Sequence, residues 1–240
     1  MLNDFAGKDI VVVSPHSDDG VLSLGAAMSS WARRGARVKL LTVFALDPTS
    51  DRPAGGWDAR AGFRTEGEAA QARREEDSKA CAELGAVPVW LSYGSVDYEQ
   101  NRDEAAVREV VERATEEVDA LLVPGSPLSH PDHLWLARAL EGGSFGCRRL
   151  GLYAEQPYTR RSKRGPKAPE WVEESVGVRL TFEPARVSRR DQFAKWRAIR
   201  QYRSQLPLLG MSRSLRRGPH SILREEMIAW VPTTGRLPQG

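Results

Sequence analysis

Short apolar runs alternating with helix-patterned stretches constrain this 240-residue chain most. Lys8–Ser14 (KDIVVVS) and Arg37–Leu46 (RVKLLTVFAL) read as buried strands, and Val87–Tyr93, Ala120–Val123 and Leu150–Glu155 add three more. Helical patterns fill the intervals. Gly25–Arg34 ends at Gly35, Glu66–Leu84 is closed by Gly85, and Arg102–Val118 and His133–Leu140 follow. This order predicts an α/β fold in three layers, a mostly parallel sheet with helices on both faces. Ligands in such a sheet bind beyond the carboxyl ends of the strands. Asp47–Thr65, rich in Pro, Gly, Asp and Arg, reads as a long loop.

The character changes after Pro157. Residues 158–217 hold 16 Lys/Arg and five Asp/Glu, although the whole chain is only +3. Arg160–Pro169 is a basic loop, Val176–Phe182 a strand candidate, and Ser188–Leu206 an Arg-rich helix with Phe193, Trp196, Ile199 and Tyr202 on an apolar stripe. No repeat or low-complexity linker interrupts the chain. We read residues 1–240 as a single domain with a basic C-terminal extension from about 158. The modest net charge argues against nucleic acid as a partner, while an Arg-rich face suits an anionic small molecule. Two cysteines, Cys81 and Cys147, exclude a disulfide scaffold and a four-cysteine zinc site. No apolar run approaches the roughly 20 residues that span a bilayer, and MLNDFAGKDIVVV lacks the features of a secretion signal. The expectation is a cytoplasmic protein without a membrane partner; a homo-oligomer stays open.

Three of the four histidines fall in two short motifs. Ser14-Pro15-His16-Ser17-Asp18-Asp19-Gly20 follows the first strand, and Ser129-His130-Pro131-Asp132-His133 follows the strand at 120–123. Both therefore sit at strand carboxyl ends. Imidazoles plus a carboxylate suit Zn²⁺ in an open site, with three protein ligands and one water. Either motif alone is common loop polarity or helix capping; the pair at equivalent places is more specific.

Pro15-His16-Ser17-Asp18-Asp19 and His130-Pro131-Asp132-His133 resemble the paired signatures of the PIG-L/LmbE-like zinc N-deacetylases. Arg73-Arg74-Glu75-Glu76, with Ala80 and Leu84-Gly85, is similar to that family's Arg-x-x-Glu helix. The resemblance covers about residues 8–157. It departs at Ser17, where the family usually has Pro, at Gly20, where Glu is common, and at Leu128, where some relatives carry a helper Tyr. It implies a Rossmann-like, LmbE-like fold and a metal-dependent hydrolase that removes an N-acyl group, most often acetyl, from an amino sugar or related small-molecule amine. It further implies metal ligands His16, Asp19 and His133, with Zn²⁺ or Fe²⁺ as the ion. Asp18 becomes the general base, and His130, assisted by Asp132, stabilises or protonates the departing groups. Arg73, with Glu76 as its structural partner, resembles the family's sugar-contacting Arg, a plain surface ion pair being the alternative. By position beside strand ends, Asp97 is a substrate contact or an ordinary turn residue, and Tyr158 a substrate contact or a packing residue. Tyr153 and Glu155 line the cleft or pack beside it. Alternative readings are an amidase of a larger conjugate, a basic phosphate- or nucleic-acid-binding module, and a pseudoenzyme; the intact ligands and base argue against the last.

Overall fold

The computed structural model describes residues 5–98, 102–161, 165–219 and 225–232. Strand β1 (Asp9–Ser14) carries the β-branched run Ile10–Val13, every residue of it buried. Its alternation splits the core in two. Ile10 and Val12 join one apolar cluster, Val11 and Val13 the other, as successive side chains of a strand must point to opposite faces. The neighbouring strands β2 (Arg37–Thr42) and β4 (Ala120–Ser126) divide in the same way, with Leu40 and Leu122 on one side, Leu41 and Leu121 on the other.

Helices α1 (Asp19–Arg33), α3 (Glu66–Leu84) and α7 (Arg189–Ile199) cover the first face through Leu24, Met28, Ala80 and Ala198. Helices α4 (Glu104–Ala114), α5 (Pro131–Ala139) and α6 (Glu170–Val176) cover the second through Val107, Leu136 and Val172. With β3 (Val87–Trp90), β5 (Arg149–Ala154), β6 (Glu183–Pro184) and β7 (Met227–Val231), the sheet has, among the described residues, seven strands in the order β3-β2-β1-β4-β5-β7-β6. Strands β1–β5 are parallel, β7 runs antiparallel to β5, and β6 antiparallel to β7. The chain steps from β1 outward through β2 and β3, then returns to the far side of β1 as β4. That reversal opens a crevice between the carboxyl ends of β1 and β4.

Several boundaries differ from the sequence reading. Helix α1 begins at Asp19, six residues before Gly25, because Gly20 packs where no side chain fits, a Cβ there lying 2.5 Å from Leu40 Cδ1, and buried Ser23 accepts the Gln156 N–H. The loop at 47–65 contains the short helix α2 (Gly56–Ala61). Val176–Phe182 is not a strand; α6 ends at Val176, and the next strand is β6. Helix α4 stops at Ala114 and α7 at Ile199, each short of the expected end. Strand β7 has no counterpart in the sequence reading. Helix α3 matches its expected span, with Thr65 accepting the Glu68 N–H at one end and Gly85 at φ +71° at the other. Cys81 and Cys147 are both buried in the core.

The segment after 158 is tied to the sheet by buried polar groups. The Glu226 carboxylate accepts the backbone N–H groups of Ala26 and Ala27, at 2.8 and 2.7 Å, in the middle of α1. Lys195 of α7 donates to the same carboxylate at 2.7 Å, its stem packed where a Cβ on Gly25 would come within 3.0 Å. Arg33 of α1 pairs with Asp191 of α7, and Arg197 of α7 with Glu83 of α3, so Arg197 at least spends its charge within the fold. No helix of the described residues is long and apolar enough to cross a membrane.

Candidate metal centre and cleft

Both histidine motifs emerge at the crevice between β1 and β4. After β1, the Ser14 hydroxyl donates to the His16 carbonyl and accepts the Gly20 N–H at 2.8 Å, folding the chain tightly into α1. Asp18 is the N-cap residue of α1, yet its side chain makes no capping bond. Asp19 occupies the first helical position. After β4, His130 caps α5 through Nδ1, which accepts the Asp132 N–H at 3.2 Å, and Pro131 takes the first helical position. One turn on, His133 is completely buried.

The inward atoms of His16, Asp19 and His133 form a small triangle. His16 Nδ1 lies 2.9 Å from Asp19 Oδ2, His133 Nε2 lies 3.0 Å from the same oxygen, and the two nitrogens are 3.3 Å apart. Tetrahedral zinc with its usual bond lengths separates ligand atoms by roughly 3.3 Å, so the triangle fits a divalent ion with little movement. The outward nitrogens are equally organised. His16 Nε2 meets Asp132 Oδ2 at 2.9 Å, and His133 Nδ1 meets Glu155 Oε1 at 2.5 Å. Carboxylates in these places fix the tautomer and aim the other nitrogen at a metal. His16, His130 and His133 also place nitrogens within 4.8 Å of one another. The Nδ1 of His130 is spent on its helix, whereas Asp19 Oδ2 lies within 3.0 Å of both His16 Nδ1 and His133 Nε2.

Electrostatics separate the roles. Burial opposes protonation of His16, but Asp132 and Asp19 outweigh it and raise the group to about 9. Burial likewise opposes protonation of His133, and Asp19 and Glu155 raise it to about 10. Burial works against ionised Asp19 as well, yet the two imidazoles hold it well below the usual carboxylate range. An incoming cation would therefore displace protons from a negative cage. Asp18 behaves oppositely: burial, then the charge of Asp19, push it up to about 7. His130 is lowered to about 4 by burial and by its two imidazole neighbours.

A cleft of about 340 Å³ opens beside these groups, lined among others by Asp18, Arg73, Trp57, Asp97, Tyr158 and Gln205. Arg73 is paired with Asp58, whose other oxygen accepts from Tyr98 at 2.5 Å. Glu76 is not the partner of Arg73; its carboxylate accepts the backbone N–H and hydroxyl of Ser204, both at 2.8 Å. Asp97 accepts the Trp57 N–H at 3.0 Å and so holds α2 against the cleft. The Tyr158 ring stands edge-on to His133, with centroids 5.3 Å apart. The Asp132 side chain is wholly buried and serves His16; its carboxylate stands 3.8 Å from His130 Nδ1, beyond hydrogen-bond reach, so Asp132 meets His130 through its backbone N–H and not through the carboxylate. Tyr153 lies outside the cleft, donating to the Val13 carbonyl at 2.9 Å. The structure thus gathers Asp18, His130, Arg73, Asp97 and Tyr158 around one opening, with Asp132 behind it.

Sequence reasoning missed Asp58, Trp57 and Gln205, none of which stands in a motif, and gave Glu155 no role beside His133. The side chains of Arg160, Arg161 and Arg164, and all of His220, lie outside the described residues.

This is a three-layer α/β protein whose sheet reversal holds a histidine–carboxylate centre. The family profile for PIG-L, described as GlcNAc-PI de-N-acetylase, matches residues 11–141, more than half of the chain. The chain belongs to the PIG-L family. Its fold is also that of solved deacetylases. The A40926 pseudoaglycone deacetylase Dbv21 is 26% identical, with a TM-score of 0.70 over 94% of this chain and 97% of that one. A zinc-inhibited form of the teicoplanin deacetylase Orf2 is 20% identical, with a TM-score of 0.71 over 92% and 97%. The N,N'-diacetylchitobiose deacetylase of Pyrococcus horikoshii is 16% identical, with a TM-score of 0.55 over 94% and 84%. Comparison with curated proteins returned no match.

Proposed function

We propose that the protein is a metal-dependent N-deacylase that removes an acetyl or similar acyl group from an amino sugar. The observation that carries this reading is the His16–Asp19–His133 triangle with the Asp18 carboxylate, which makes no helix-capping bond, lining the same cleft. Family membership and the likeness to Dbv21, a deacetylase by name, support it. A divalent ion, Zn²⁺ or Fe²⁺, would supply Lewis acidity to an amide carbonyl and make water a nucleophile near neutral pH.

The chain's own groups do the rest. Asp18, whose carboxylate lines the cleft beside the triangle, takes the proton of the attacking water and returns it to the departing amine. His130 keeps Nδ1 as an acceptor for the Asp132 N–H, so its proton sits on Nε2. A neutral imidazole there donates a hydrogen bond to charge developing on the carbonyl oxygen. Arg73, neutralised by Asp58, suits the hydroxyl oxygens of a sugar. A cleft of about 340 Å³ is at the small end for ligand sites. It accommodates one N-acylated ring, leaving the remainder of a larger glycoside outside.

The test is a mass-spectrometric deacylation screen over N-acyl amino sugars and their glycosides, with metal-loaded and chelated protein. We expect amine release that stops on chelation and returns with Zn²⁺ or Fe²⁺. Release that persists after complete metal removal, or no release from any N-acyl sugar, would overturn the reading.

A further inference from the structure

Arg102 lies at the threshold of α4, outside both histidine motifs and outside the cleft. Its side chain is 8% exposed, and Nη1 donates to Asp132 Oδ1 at 2.6 Å. Its guanidinium carbon lies 4.9 Å from the centre of the Phe44 ring and 4.7 Å from that of Trp135. These two rings are 5.9 Å apart, and Phe44 also faces the His16 ring at 5.8 Å. Asp132 spends its other oxygen on His16 Nε2, and the Val96 N–H approaches both oxygens at 3.1 and 3.3 Å. A buried carboxylate bound on one side only could turn about its terminal torsion. Here a planar cation, held by two aromatic faces from β2's exit and α5, clamps the second oxygen.

We propose that Arg102 is a positioning residue for the metal centre: through Asp132 it fixes the orientation in which the His16 imidazole presents Nδ1 toward the ion. The proposal rests on the metal-centre reading above. The line runs from the Phe44–Trp135 corner through the guanidinium and carboxylate to the imidazole. Arginine suits the task where lysine does not, because its plane both stacks on rings and meets a carboxylate oxygen in fixed geometry.

Zinc affinity, read by competition with a chromophoric chelator on the stripped full-length protein, tests this. Removing partners that orient metal-bound histidines typically weakens metal binding 10–100-fold. We expect Arg102→Leu to show a loss in that range and Arg102→Lys a smaller one. Added methylguanidinium should restore affinity to Arg102→Ala, which a general loss of packing would not allow. In an Asp132→Asn background, Arg102→Leu should change affinity little further, because the relay is already cut. Arg102→Lys, with its charge and most of its volume kept, carries the test should the leucine variant not fold. Wild-type affinity in Arg102→Leu or in Arg102→Lys, or an equal loss with and without Asp132, overturns the inference while leaving the metal centre intact. Failure of the wild type to take up zinc overturns the metal centre and the inference together.

Discussion

Asp18 and Asp19 are neighbours in the chain with opposite environments. One is pushed up to about 7 by burial, and the other is held down by two imidazoles. Substitution should separate them. Asp18→Asn removes the proton acceptor and keeps the triangle, so metal content should stay while kcat falls about 10²–10⁴-fold, the usual worth of acid–base catalysis. Asp19→Asn weakens a donor atom, and elemental analysis should show metal loss first. Equal metal loss in both variants would mean the two carboxylates are wrongly assigned. His133→Ala, which removes Nε2 from the triangle, should also lose metal; undiminished content would place His133 outside the centre. Gly20 matters for a different reason: Gly20→Ala puts a methyl into Leu40, an overpacking that costs about 1–3 kcal/mol by chemical denaturation.

At the scale of elements, the buried carboxylate Asp77 of α3 joins strand and helix layers. It accepts from Tyr202 and Trp90, both at 2.7 Å, and burial raises it to about 6. An unfolded Asp titrates near 3.9, so the fold prefers the protonated form. The stability gained from that preference is complete below about pH 3.9 and is lost as pH rises through about 6. Asp77→Asn has no such dependence. Its melting temperature relative to wild type should therefore rise between pH 4 and pH 8, by an amount equivalent to about 2–3 kcal/mol. A difference that stays constant across that range would refute the account. A second buried arrangement binds α7 to α1. Lys195→Met would leave Glu226 with its two backbone donors but no cation. Breaking a buried pair in this way costs about 3–5 kcal/mol, and Lys195→Met combined with Glu226→Gln should recover part of it in urea denaturation.

For the whole molecule, what was legible in the sequence is what is local. The five parallel strands announce themselves as short apolar runs, β-branched in β1 and Leu-rich in β4 and β5, and the histidine motifs stand at strand exits because their spacing within a few residues is the chemistry. Helix α3 carries both its cap and its closing glycine in sequence. What escaped is built across distance. Arg73 finds Asp58 in a loop that reads as featureless, Glu76 turns to Ser204, and Arg102 reaches Asp132 across the α4–α5 layer. Strand β7 returns from the far end of the chain to pair with β5, a placement that no local period encodes. The start of α1 is hidden because Gly20 and Ser23 are poor helix formers in isolation, and only the fold shows Gly20 packed closely on β1 and β2 and Ser23 accepting the Gln156 N–H.

Glu226 holds the middle of the helix that begins with Asp19, and it does so from just before β7, long after the family-matched stretch ends at 141. Gln205 and Leu209, also beyond that stretch, wall the cleft. The two halves of the chain are therefore not interchangeable parts. A chimera that grafts the first 157 residues onto the tail of a relative would inherit both histidine motifs intact, yet leave two helix amides facing whatever that tail supplies. Recombination within this fold should succeed only where the donor tail brings its own acidic anchor, and a crossover placed between Lys195 and Glu226 would separate a cation from the anion it was buried to meet.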